Sequence, residues 1–431
     1  MKATPEPQSQ RNAPALPLMN PVPRVTHLVR PAMLFAMALC TLTTIAPAAG
    51  GPPPTLREAI EAAAERHPRQ LTLDASAREV DALDARASSL LADSPSVAGL
   101  YKTDQIGSGE GYREWEAGVA LPLWKPGQRG AERDVANSAT LALDQDRRAL
   151  LLDVAGEVRE RMWAAALARN NVEIARKEWE TALALEKNVR RREELGELPV
   201  TDLLLAKDST LTKRVDQVKA QADFDNAMQR YASLTGLSRL PRQRGETAVE
   251  QSTVPEDHPG LAQASANTRR ALAELGAIRR RGGGSPELFL GGNGERDASG
   301  EDFDTRVALA LSVPIGTKAH TLPAVAAAER ARAAAQAEYD IRMRELTLTL
   351  RESQRERESA RDALALAVEQ NRVARESLRL GTVAFDAGES DLVTLLRVQR
   401  LAFAAERREK ELRIMLQRAI SRYNQAAGAL P

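Results

Sequence analysis

Residues 379–396, RLGTVAFDAGESDLVTLL, decide the fold: helix-forming sequence leads in, reverses at a Gly-Glu step and leaves again. The stretch has an earlier counterpart, ELGELPVTDLL at 194–204. Gly196 maps on Gly388, Glu197 on Glu389, and Leu203-Leu204 on Leu395-Leu396, all 192 positions apart. Further out the offset persists. His67-Pro68 and Ser94-Pro95 recur 191 positions on, as His258-Pro259 and Ser285-Pro286. Leu121-Pro122-Leu123 recurs as Val313-Pro314-Ile315, and Arg230-Tyr231 with Gly236 as Arg422-Tyr423 with Gly428, each at 192. One residue of drift over so many landmarks marks an internal duplication, with two copies of about 190 residues each. The copies are expected over 49–240 and 241–431.

Composition agrees with long helices rather than compact domains. Aromatics are 3% and charged residues 28%, with Ala, Leu, Arg and Glu dominating. A formal net charge of +1 and the lack of a dense Lys/Arg tract give no reason to expect nucleic acid. Arg24 and Arg30 precede an apolar run from Pro31 to Ala49, and Ala46-Pro47-Ala48 has the small-x-small pattern of a cleavage site. Residues 1–48 therefore read as an export signal; the run is short of the ~20 residues a spanning helix needs. Cys40, the only cysteine, falls inside it, so cleavage leaves no disulfide or thiolate site. Leu39 is a poor residue to precede a lipidated cysteine, which disfavours lipidation at Cys40.

In chain order, Thr55 with Glu58 forms a capping box ahead of a short helix that His67-Pro68 ends. A second helix follows toward Ala92. The chain then looks extended over 94–101 and 112–124, around Gly-rich 106–111, and again over 286–290 and 303–315, around 291–300. Trp115, Ala117, Val119, Leu121 and Leu123 alternate onto one face, as do Phe303, Thr305, Val307, Leu309, Leu311 and Val313. These are two β-hairpins, about 94–124 and 286–315, of nearly the ~9–11 residues that a tilted barrel strand needs. Tyr101, Tyr112, Trp115, Trp124, Phe289 and Phe303 cluster there, as interfacial girdles of a barrel would. A small soluble sheet with core aromatics is the competing reading. Four strands cannot close a barrel, so a membrane reading requires several chains.

From Gly127 to Leu195 only Gly156 interrupts the helical pattern. Leu151, Val158, Ala165, Val172 and Trp179 repeat by seven; Val154, Ala168, Ala175, Ala182 and Val189 fill the second row, which Arg161 breaks. The return helix is expected over 200–234. The second copy repeats the plan over 324–380 and 392–427. Each copy is then helix, hairpin, long helix, tip turn and helix, with the tips near 195–202 and 380–392. The fold class is mainly α with a small β part, in two tandem repeats.

With these elements in place, the chain resembles the TolC family of outer-membrane efflux channels over essentially all of 55–430. The likeness is carried by LREAIEAAAERHP at 56–68, the strand-to-helix passages 120–130 and 312–318, both tips, and the ends 230–236 and 422–428. The second tip looks most like the heavy-metal branch that includes CzcC and CusC. The resemblance implies a homotrimer whose chains share one β-barrel in outer-membrane lipid and one periplasmic α-barrel. It implies docking through the tips on a periplasmic membrane-fusion adaptor and an inner-membrane proton-driven (RND) pump. The implied role is a passive conduit for heavy-metal cations; the alternatives are drugs, type I secretion, or a soluble periplasmic coiled-coil scaffold or adaptor.

No catalytic constellation appears, and no cofactor is implied. His67, His258 and His320 lack a second ligand at a convincing spacing, and the first two precede prolines at equivalent helix ends. Gly282-Gly283-Gly284 lacks the Lys-Ser/Thr of a phosphate loop and reads as a helix-to-strand release. Met162, Met228, Met343 and Met415 are too scattered for a soft-metal relay. Function is expected at the tips: Leu195, Gly196, Glu197, Thr201 and Asp202 in one copy, and Ala387, Gly388, Glu389, Ser390 and Asp391 in the other, would face the adaptor. Asp386, Glu389 and Asp391 are the candidates for a carboxylate ring that constricts the channel. At two positions where TolC-like tips carry aspartates, this chain has Thr394 and Arg397.

Overall fold

A computed structural model describes residues 52–431; the leader expected over 1–48, with Cys40, lies outside them. Two short helices come first, α1 (Leu56–Glu65) and α2 (Gln70–Ser88). The capping box forms as expected: Thr55 Oγ1 accepts the Glu58 N–H at 3.2 Å, and Glu58 Oε2 accepts the Thr55 N–H at 2.7 Å. Strands β1 (Ser96–Thr103) and β2 (Arg113–Pro122) follow, then α3 (Gln128–Glu194) and α4 (Val200–Thr235). The second copy runs α5 (Pro259–Arg281), β3 (Glu287–Arg296), β4 (Asp304–Ser312), α6 (Lys318–Asp386) and α7 (Leu392–Ala426). Helix α3 is about 100 Å long at 1.5 Å per residue. It packs along α4 as α6 packs along α7, and α7 also lies against α3.

The second copy differs from expectation in three places. Its long helix begins at Lys318 rather than after Pro323, because Thr317 O accepts the N–H groups of His320 and Thr321 (3.1 and 3.2 Å) and starts the helix upstream. Pro323 then removes a single bond, to the carbonyl four residues back. The helix also passes through Gly381 to reach Asp386. Second, no helix corresponds to α1. Residues 247–251, with Val254 beyond, lie against α7 through side chains instead. Asn424 Oδ1 accepts the Val249 N–H at 3.0 Å, Asn424 Nδ2 donates to Thr247 O at 2.9 Å, and the Tyr423 hydroxyl donates to Gln251 O. Third, the glycines from Gly291 to Gly294, expected in a loop, lie inside β3.

The four strands form one antiparallel sheet in the order β1-β2-β3-β4. Its register explains the glycines. A Cβ on Gly294 would meet Trp115 Nε1 at 2.4 Å, and one on Gly118 would meet the Phe289 ring at 2.4 Å. Each ring fills the space of an absent side chain across the ladder. On one face, Val97, Val119, Leu290 and Leu309 line up across all four strands, flanked by Tyr101-Trp115 and by Leu121-Leu288-Leu311. The opposite face carries Lys102-Glu114-Glu295-Asp304 and Leu100-Glu116-Asn293-Arg306. Val97, Leu309 and Leu311 are exposed in the single chain, and among the described residues the outer edges of β1 and β4 have no partner strand.

The main apolar core lies at the waist, where α1 and α2 close over α3 and α4. Leu56, Ile60, Leu73, Val154, Val158, Met162 and Tyr231 are buried there. Arg159 is buried beside them. Its guanidinium donates to Glu246 Oε1 and Oε2 (2.5 and 3.0 Å), to Gln425 Oε1 (2.6 Å) and to Ala429 O (3.1 Å), so it ties α3 to the α4–α5 connector and to the chain's end. Below the waist the helices are held by narrow seams. Of the expected heptad rows, Val154, Ala175, Ala182 and Val189 are buried, whereas Leu151, Val172 and Trp179 are only half-buried. The Arg214 guanidinium covers the Trp179 ring, 4.5 Å from its centroid.

Candidate docking tips and the seam above them

The two tips are built alike. In each, a glycine at positive φ (Gly196 at 77°, Gly388 at 76°) ends the long helix. Gly196 N–H donates to Glu193 O and Glu197 N–H to Arg192 O, both at 2.8 Å; Gly388 N–H donates to Phe385 O at 3.1 Å and Glu389 N–H to Ala384 O at 2.9 Å. These are Schellman closures, which only a residue free to be left-handed makes without strain. The following helix starts differently in each copy. Asp391 caps α7, its Oδ1 accepting the Thr394 N–H at 2.6 Å, and that bond holds its carboxyl below the ordinary aspartate range. The first tip has Pro199 at this place, with no side-chain cap. Thr201 and Asp202 accordingly lie in the first turn of α4, one turn later than Ser390 and Asp391.

The structure brings both tips together. Val189 and Ala206 of the first copy share a small apolar core with Phe385, Leu392 and Leu395 of the second, and Leu198 and Leu203 pack on it. Arg192 crosses between them: it pairs with Glu197 (3.1 Å), donates to Phe385 O (3.3 Å) and covers the Phe385 ring at 5.1 Å. Leu195, Gly196, Glu197, Thr201, Ala387, Gly388, Glu389 and Asp391 are exposed, while Asp202 and Ser390 are half-buried. Of the three candidate constriction residues, Asp386 and Glu389 are exposed, and Asp391 is engaged by its own helix.

Sequence reasoning missed the seam that joins the two hairpins above these tips. Glu178 on α3 is 4% exposed at its side chain and accepts from Lys213 of α4 and Arg407 of α7, each at 2.7 Å. Its neighbour Lys177 crosses the other way to Glu406 of α7, at 2.7 Å. Burial would raise the Glu406 carboxyl, but hydrogen bonds from Lys177 and Lys410 outweigh it and hold it below the ordinary range. Nearer the waist Glu160 of α3 receives Arg418 and Arg422 of α7, and Arg422 reaches on to Glu356 of α6 (2.9 Å). Glu160 is likewise lowered, with Arg422 and Arg418 overcoming its burial. A groove of about 740 Å³ opens beside this network, lined by Leu205, Lys213, Phe403, Arg407 and Arg408 among others.

Two of the described histidines accept backbone N–H groups at helix ends. His67 Nδ1 accepts the Arg69 N–H (3.2 Å), and buried His258 Nδ1 accepts the Gly260 N–H (3.1 Å) to cap α5. Burial, then the Arg342 charge, lowers the His258 pKa, which keeps that acceptor available. Among the described residues no group of three or more His, Cys, Asp and Glu side chains is placed to hold a metal ion, and no helix is long and apolar enough to cross a membrane.

Residues 252–429 match the family of outer membrane efflux proteins. No curated protein matches the chain in sequence. In fold it is similar to a membrane protein from Pseudomonas aeruginosa (17% identity, TM-score 0.67, covering 89% of this chain and 98% of that one). It is similar also to CusC, studied for transmembrane channel formation (17% identity, TM-score 0.70, 87% and 92%). A third similar structure is the CmeC outer membrane channel of Campylobacter jejuni (16% identity, TM-score 0.65, 86% and 85%).

Proposed function

We propose that this chain is the outer-membrane conduit of a tripartite efflux system, assembled from three copies. The observation that carries this reading is the sheet: one face presents an exposed apolar band framed by Tyr101 and Trp115, the other is charged, and both edges are open. An apolar band against lipid and a polar lumen are what a transmembrane barrel requires, and open edges are closed by neighbouring chains. A soluble scaffold has no use for Val97, Val119, Leu290 and Leu309 exposed in one row across the sheet. The match of 252–429 to outer membrane efflux proteins supports the same reading.

In this arrangement α3, α4, α6 and α7 form a periplasmic tube and the paired tips face a membrane-fusion adaptor carried by an inner-membrane proton-driven pump. The exposed residues around Gly196 and Gly388 supply the docking surface, with the groove beside Phe403 extending it upward. Asp386 and Glu389, repeated by symmetry, form the carboxylate constriction, and Asp391 supports it as a helix cap. The conduit itself is passive.

For the cargo, the second-tip sequence favours heavy-metal cations; drugs are the second reading, since the likeness in fold extends beyond CusC to other outer membrane channels such as CmeC. A deletion strain complemented with wild type or with a Gly388→Ala/Asp391→Ala variant tests both points. Metal sensitivity of the deletion that the tip variant fails to rescue, at normal trimer levels, supports metal export through docked tips. Sensitivity to organic compounds alone refutes the metal assignment, and a protein extracted from cells without detergent refutes the conduit.

A further inference from the structure

The strand ladder sets two arginines face to face. Arg113 of β2 stands directly opposite Arg296 of β3, one alternation beyond Trp115 and Gly294, on the same face as Val119 and Leu290. Like charges directly opposite each other destabilise a strand pair, so the arrangement calls for an anion between them. Both arginines are half-buried in the single chain. Among the described residues neither has an ion pair, and Arg296 Nε is shielded from solvent without an acceptor. The Arg296 guanidinium lies over the Phe303 ring, 5.4 Å from its centroid, which orients the fork but does not neutralise it.

Carboxylates are close along the chain, yet they serve other groups. Glu114 and Glu295 alternate onto the opposite face, where Glu114 holds Lys102 at 2.9 Å and Glu295 accepts the Tyr112 hydroxyl at 3.3 Å. Asp304 pairs with Arg306. Asp104, where the first hairpin loop begins, accepts from the Ser108 hydroxyl and the Gly111 N–H, both at 3.0 Å. A neighbouring chain joined at a sheet edge is also badly placed to help, because β2 and β3 are the central strands and the next strand lies about 10 Å from β2. The missing anion is therefore one that approaches the face of the sheet.

Position narrows its identity. The ladder ends near the helices at Leu123, whose N–H donates to Pro286 O at 2.7 Å. Arg113 is ten residues away, about 33 Å of strand, or about 24 Å along the membrane normal at a tilt of about 45°. That matches the ~25 Å height of an outer-membrane apolar band, so with Leu123 at one boundary the arginines fall at the other, beside Tyr101 and Trp115. Two guanidinium forks at a lipid boundary suit a phosphate, which both can grip at once. We propose that Arg113 and Arg296 bind a phosphate of the lipid in the outer leaflet, so that each copy holds one headgroup against its sheet. This rests on the conduit reading, which puts the sheet in the membrane.

The test titrates bisphosphorylated lipid A into full-length protein in neutral detergent and follows the thermal unfolding midpoint. Wild type is compared with Arg113→Gln/Arg296→Gln and with Arg113→Lys/Arg296→Lys. The expected result is half-saturation at a concentration at least tenfold lower for wild type than for the Gln variant, with the Lys variant between them. Dephosphorylated lipid A should raise the wild-type midpoint no more than it raises that of the Gln variant. Without lipid the Gln variant should melt no lower than wild type, since a repulsive pair has been removed. Equal half-saturation in wild type and the Gln variant overturns the proposal, as does an equal response of wild type to the dephosphorylated lipid. A Gln variant that melts lower without lipid assigns the arginines to the fold instead, and inorganic phosphate that reproduces the full shift assigns them to a free anion. Conductance in planar bilayers separates the two readings: a conducting protein indifferent to lipid A loses the site alone, and one that binds it through phosphate without forming a pore refutes the conduit alone.

Discussion

Removing the Glu178 carboxylate should loosen the tip half of the molecule while leaving the waist intact. In the wild type it is 4% exposed and accepts two bonds of 2.7 Å, from Lys213 and Arg407, whose side chains are 31% and 39% exposed. Breaking a fully buried pair costs about 3–5 kcal/mol because a charge is left stranded. Here both stranded cations reach water, so Glu178→Ala is expected to cost about 2–3 kcal/mol, the loss of two charge-assisted bonds less the recovered hydration. At 1.4 kcal/mol per decade this is roughly a 30- to 140-fold rise in local opening. Hydrogen exchange of the α7 amides around Arg407, in detergent, reads that opening directly. The control is Glu173→Ala, whose partner Arg169 is solvent-exposed (Glu173 54%, Arg169 57%) and which should change exchange by at most a few fold. If the two variants behave alike, or if Glu178→Ala speeds exchange equally around Arg159, the claim that this seam holds the hairpins together is wrong.

Other outcomes follow from the same geometry. Gly388→Ala forces a side chain to φ 76° with nothing to hit, so it should lower hairpin stability by about 1–2 kcal/mol through backbone strain alone, and Gly388→Asn by less, as measured by denaturant unfolding. Glu406 and Glu160 titrate below the ordinary carboxylate value of 4.5, so their seam is fully formed above that pH and lost as pH falls through their lower folded values; acid should separate α7 from α3 only below about pH 4.5. His258 is lowered from 6.5, so its contribution is complete above that pH and decays below it; His258→Gln should remove this earlier acid step from a melting-temperature profile. Gly294→Val drives a side chain into Trp115, and the yield of detergent-resistant trimer should fall sharply, with partial recovery in Gly294→Val/Trp115→Ala.

The long helices and both tips were legible because their signals are local: heptad rows, a Gly-Glu reversal and a repeated Leu-Leu pair. Gly291 to Gly294 misled because glycine weakens a strand on its own; only the register shows Trp115 and Phe289 supplying the missing side chains. Pro323 misled in the opposite sense, since one lost hydrogen bond early in a helix of 69 residues is a small penalty. The missing counterpart of α1 was foreshadowed by Ser252-Thr253-Val254-Pro255, which suits extended chain. At the tips, the glycines and Asp391 could be found from sequence, whereas Arg192 and Phe385 could not, because their contact spans 193 positions. The Arg407–Glu178 and Lys177–Glu406 pairs span 229 and are equally invisible to any local pattern.

One property of the sheet bears on how the protein comes to exist at all. Four strands is an even number, so β4 runs antiparallel to β1, and in the proposed assembly the free edge of one chain would meet the free edge of the next with the same alternation that operates inside the sheet. A ring of identical chains therefore closes as an uninterrupted meander, whatever the number of copies, with no special junction strand. The converse is a kinetic burden. Until the ring shuts, each subunit carries two sticky edges and an uncovered greasy face, so the sheet cannot mature ahead of its neighbours. If the proposed conduit forms, insertion and association become one event, and the half-time of its maturation should shorten with subunit concentration.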